Sequence, residues 1–64
     1  MSLNESLLSQ FEELKLLVET LQTDVVKNAQ GNKSAGIRAR KGLRLLKQKA
    51  SDVVKTSLNS DKSE

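Results

Sequence analysis

The sequence predicts an all-α protein in which two helices fold back on each other as an antiparallel hairpin. Three observations predict it. The 64 residues contain no Pro and three Gly, and are rich in Leu, Lys, Glu, Gln, Ala and Ser, so little in the chain opposes helix. Gly31 and Asn32 form the one strong break signal. On either side of that break lies a segment of similar length with apolar residues at helical period, helix 1 over about 3–29 and helix 2 over about 34–58, each about 40 Å long at ~1.5 Å per residue.

In the first segment Leu7, Phe11, Leu14, Val18, Leu21 and Val25 alternate steps of four and three, which puts them on one coiled-coil-like stripe. Leu3, Leu17 and Ala29 widen it. The start is marked by Ser2 with Glu5 three residues on, the spacing of a capping box. Gly31 suits the left-handed position that closes such a helix.

The turn spans 30–33, after which Asn32 or Ser34 supplies a cap. The second stripe is Ala35, Ala39, Leu43, Leu46, Ala50 and Val53, with Gly36, Gly42 and Val54 at its edges. Small residues crowd the half nearest the turn, so the helices are expected to approach closely there, with Leu21, Val25 and Val26 filling the space opposite. One continuous rod is the structural alternative. Residues 59–64 read as a disordered tail, completing a single domain over 1–58.

A chain this short buries little apolar surface alone. Leu8, Leu16, Leu17, Val26, Ile37, Leu45 and Leu58 fall outside the stripes and read as a second interface, closing a homodimeric four-helix bundle. Scattered surface leucines are the plain alternative.

Composition excludes several functions. There is no Cys and no His, which removes disulfides, thiolate metal sites and the commonest general base, so no enzyme activity, metal, cofactor or small-molecule substrate is expected. Phe11 is the sole aromatic residue, too few for a base-stacking platform. The acidic, polar-interrupted start is unlike a signal peptide, and no apolar run nears the ~20 residues of a membrane span. A cytoplasmic protein without membrane partners is expected.

Charge is segregated along the chain. Residues 1–24 carry net −4, residues 25–51 net +8 with no acid among them, and residues 52–64 net −1. At 100° per residue Lys33, Arg40, Lys41, Arg44, Lys47 and Lys55 cover one arc of about 120° opposite the apolar stripe, with Arg38 and Lys49 on its flank. A row of cations of this kind matches a phosphate backbone in sign and spacing. Only Gln48, near the border of the arc, offers an amide for reading base edges, so sequence-independent binding is expected. The plain alternative is a solvated helix face, partly neutralised by Glu12, Glu13 and Glu19.

The stretch "GNKSAGIRARKGLRLLK" resembles the core of the small bacterial linker-histone-like nucleoid proteins of the chlamydial type. The resemblance covers about residues 7–58. It implies double-stranded DNA binding, chromosome condensation and self-association in the nucleoid, with Gly31 and Asn32 as the turn and Lys33, Arg38, Arg40 and Lys41 as basic positions of helix 2. Chlamydial-type members continue into a long Lys-, Ala- and Pro-rich tail, where this chain has "SLNSDKSE", a departure that leaves open a hairpin serving chiefly as a dimerisation unit with modest DNA affinity.

Together these readings describe a histone-like homodimer that binds duplex DNA through Lys33, Arg38, Arg40, Lys41, Arg44, Lys47, Lys49 and Lys55. Its expected core is Leu7, Phe11, Leu14, Val18, Leu21, Val25, Leu43, Leu46 and Val53. A phosphate-directed helix does not name its sugar, so RNA would serve the same face. The rival class is a helical dimerisation or interaction module for an acidic protein partner.

Overall fold

A computed structural model describes residues 4–62, and within them two helices, α1 (Glu5–Ala29) and α2 (Lys33–Lys62), pack side by side over a body 49 × 15 × 12 Å in extent. The expected start at residue 3 and the Ser2 cap lie outside the described residues. Asn4 is the cap: its backbone is extended and its Oδ1 accepts the Leu7 N–H at 3.0 Å. Glu5 in the first turn and Lys27 in the last complement the helix dipole.

Three residues reverse the chain. The Gly31 N–H donates to the Asn28 carbonyl at 2.9 Å and the Asn32 N–H to the Lys27 carbonyl at 3.0 Å, the paired bonds of a Schellman closure. Gly31 supplies the left-handed backbone this needs, at φ +98°. Asn32 then caps the next helix, its Oδ1 accepting the Ala35 N–H at 3.0 Å. The chain thus folds back as the expected hairpin and not as one continuous rod.

Helix α2 continues to Lys62, beyond the expected end at 58, so residues 59–62 are helical and not a disordered tail; residues 63 and 64 lie outside the described residues. After Gly42 the sequence offers neither Gly nor Pro to stop it. Thr56, Ser57 and Ser60 are half-buried, so these last turns still pack.

The seam between the helices is narrower than the apolar stripes. On α1 it runs through Leu7, Gln10, Leu14, Leu17, Leu21 and Asp24; on α2 through Ala35, Gly36, Ala39, Gly42, Leu46, Lys49, Ala50 and Val53. Leu21, 8% exposed, with Ala35 and Ala39 forms the buried apolar core, all of it in the turn half. Here the backbones come close. A Cβ on Gly42 would fall on Leu21, whose Cγ lies 3.1 Å away, and one on Gly36 would meet the Asn28 amide, with Cγ at 3.0 Å.

Four residues expected in the core are not buried by the hairpin. Phe11 (50% exposed), Val18 (51%), Val25 (43%) and Leu43 (45%) lie beside the seam, while Leu17, expected at a second interface, belongs to it. The apolar arc of α1 spans about 120°, wider than one neighbouring helix covers. Close packing on Gly36 and Gly42 turns the helices so that part of the arc is left on one side. Val26 is exposed as well and does not fill the space opposite the small residues.

Substitution at the turn tests this closure. Gly31→Val should lower stability by more than ~1 kcal/mol in chemical denaturation, because a β-branched residue resists positive φ. Gly42→Val should cost ~1–3 kcal/mol by overpacking against Leu21, in spite of the better helix propensity of Val than Gly. The opposite sign is expected at Gln10, whose Oε1 is buried without a hydrogen-bond partner among the described residues: Gln10→Leu should raise the melting temperature.

Candidate nucleic-acid interface

The hairpin has two broad faces and a charged outer edge on α2. Each follows from where the seam falls. Residues level with each other across it sit at equal distances from the turn, as Leu21 with Gly42, Asn28 with Gly36, Asp24 with Arg38 and Glu13 with Lys49.

One broad face is charge-paired. Arg38 Nε donates to Asp24 Oδ1 at 3.1 Å, and Lys49 Nζ lies 3.9 Å from Glu13 Oε2. Both cations had been expected on the nucleic-acid surface, yet each leans toward the seam and meets an acid of α1. Lys49 is also half-buried. The signal was legible in part, since Asp24 and Arg38 are nearly equidistant from Gly31, but it required the register of the hairpin.

The other broad face is apolar. Phe11, Val18 and Val25 are seven residues apart and so form one stripe of α1. Val18, Leu21 and Val25 line an open groove of about 250 Å³ with Leu43 and Leu46 of α2. Val54, eleven residues after Leu43 and seven after Lys47, is exposed where the apolar side of α2 meets its basic residues. The contiguous apolar surface is thus built from residues assigned to the core, whereas Leu8, Leu16, Val26, Ile37, Leu45 and Leu58 are exposed at scattered azimuths.

The outer edge of α2, opposite the seam, carries Lys33, Arg40, Lys41, Arg44, Lys47 and Lys55. All six are exposed, and among the described residues none is in an ion pair. Arg40, Arg44 and Lys47 follow steps of four and three, so they rise in a line along the helix. From Lys33 to Lys55 the row spans about 33 Å at ~1.5 Å per residue, close to one turn of duplex DNA at ~34 Å. No cluster of three or more His, Cys, Asp or Glu able to hold a metal occurs among the described residues, and no described helix is long and apolar enough to cross a membrane.

A short helical hairpin with one unneutralised cationic edge belongs to the class of small basic proteins suited to a polyanion. Comparison with protein families makes this particular: the model of the family described as Histone H1-like protein Hc1 matches residues 8–63. The chain belongs to that histone H1-like family, in agreement with the resemblance carried by Gly31–Lys41. Neither the curated proteins nor the solved structures contain a match.

The different environments of the cations predict different couplings. In a double-mutant cycle read by denaturation, Arg38→Ala with Asp24→Ala should return ~0.2–1 kcal/mol, the range for surface ion pairs. The same cycle for Arg40→Ala with Asp24→Ala should return nothing measurable.

Proposed function

We propose that this protein binds double-stranded DNA without base specificity and compacts the nucleoid as a homodimer, acting through the exposed basic edge of α2. The observation that carries the reading is the sorting of charge across the hairpin. Cations near the seam are paired with Asp24 and Glu13, while Lys33, Arg40, Lys41, Arg44, Lys47 and Lys55 stand together on the outer edge with no acid among the described residues bridging them. Membership of a histone H1-like family supports the same partner.

Binding then proceeds by counterion release. Each Lys or Arg that settles on a phosphate displaces condensed cations, and the gain depends on salt and not on base identity. The edge presents long, flexible side chains rather than amides fixed for base edges, which favours backbone contact over direct readout. The bare cationic edge would accept RNA by the same physics, so competition between duplex RNA and duplex DNA reads the preference.

A mobility-shift titration of random-sequence duplex over a range of salt tests the reading. If Arg40, Lys41, Arg44 and Lys47 of both protomers contact phosphates, about eight contacts give a slope of log K against log salt near −7. Arg40→Ala with Arg44→Ala should flatten that slope by roughly 3–4 units, equally on every duplex sequence, with helix content unchanged. Unaltered affinity in the folded double variant would replace this reading with the protein-interaction module.

A further inference from the structure

We infer that a second copy of this chain covers the apolar face with its turn at the same end, and that the resulting dimer holds two DNA duplexes at once, one on each outer edge. The inference rests on the proposed binding of duplex DNA by α2 and adds the arrangement that makes each dimer a bridge.

The surface to be covered is continuous. Val18 and Val25 line the groove on α1 and Leu43 on α2, with Phe11 further along the same α1 stripe, all of them close to half exposed. A contiguous apolar patch of this kind on so small a body is the mark of an interface. A self-complementary two-fold contact is the commonest way to cover one.

Two hairpins stacked face to face by a two-fold axis have two options. With the axis along the helices, each α1 lies on the partner's α2 and both turns point the same way. With the axis across the helices, α1 lies on α1, α2 on α2, and the turns point in opposite directions. Charge selects between them. The second option sets two segments of net +8 (residues 25–51) side by side, and two of net −4 (residues 1–24) likewise. The first sets each acidic helix against a basic one. Glu19, on the wall of the groove, then comes level with the partner's Arg44, because both lie at similar distances from the turn.

The consequence for DNA follows from the azimuth of the basic edge. It lies opposite the seam, so with the axis along the helices the two edges face away from each other, about 20 Å apart across two helix diameters. No duplex reaches both. The alternative would place both edges on one side as a single broad surface for one duplex. The charge pattern that chooses the dimer therefore also chooses bridging over binding along one duplex.

The chain has no Cys, so a single label site reports the arrangement cleanly. Ala29 is exposed, beside the turn and four residues after Val25 on the groove side. Spin labels on Ala29→Cys should give one intermolecular distance under about 25 Å, from helices packed at 8–10 Å. A distance near the 49 Å length of the hairpin, or no coupling at micromolar concentration, overturns the inference. Bridging is read by whether bead-bound duplex, saturated with the intact chain, captures a free labelled duplex. Val18→Gln with Leu43→Gln preserves charge and alters exposed positions. It should lose at least tenfold in capture while still shifting duplex in a gel at saturating protein. Duplex bound without capture by the intact chain, or undiminished capture by the variant, overturns bridging and leaves the DNA-binding reading standing. Failure to shift duplex at all defeats that reading and bridging with it, while the label distance still judges the dimer.

Discussion

Everything in this hairpin depends on the close approach of two backbones beside the turn. Gly36 and Gly42 present no side chain to α1, and Asn28 and Leu21 occupy the space a Cβ would need. That contact fixes the rotation of each helix about its own axis. Rotation in turn decides which cations meet acids, which apolar residues are left uncovered and which edge faces outward. A change at Gly42 would therefore be felt at the charged edge and the apolar face together, although it touches neither directly.

The same rotation explains how one helix holds cations of two kinds. Arg38 and Lys49 differ little in chemistry from Arg44 and Lys47, and differ only in azimuth. An azimuth roughly 120–180° away, on the side of α1, brings the first pair to Asp24 and Glu13; the second pair, on the far side, meets no acid among the described residues. Electrostatics at this scale is set by a rigid geometry, because a surface ion pair contributes too little to reorient a helix.

Much of the fold was legible because local signals agreed: an uninterrupted helical composition, a single Gly-Asn break and two stripes of matched length. The basic arc was legible for the same reason, being a property of one helix read alone. What escaped were relations between helices. Phe11, Val18, Val25 and Leu43 fit the periodicity of a core as well as Leu14 and Leu46 do, and only the seam on the glycines separates them. Gln10 and Asp24, polar residues at seam positions, were passed over because a hydrophobic pattern gives no weight to them. The helical run through 59–62 was missed because Ser, Asn and Asp signal turns when read singly, yet extend a helix where nothing ends it.

Asn32 belongs to both helices: its backbone N–H closes α1 on Lys27 and its side chain opens α2 on Ala35. One residue thus holds both helix ends, and the turn is tied to each of them. The buried residues Leu21, Ala35 and Ala39 lie within a few turns of it. The buried contacts join residues close in sequence through the turn, the condition for rapid folding. The open end, where Asn4 and Lys62 stand, is last to close and first to fray. Arg40, Arg44 and Lys47 sit on the turn half, beside the buried core, so a hairpin frayed at its far end keeps this part of its cationic edge in shape.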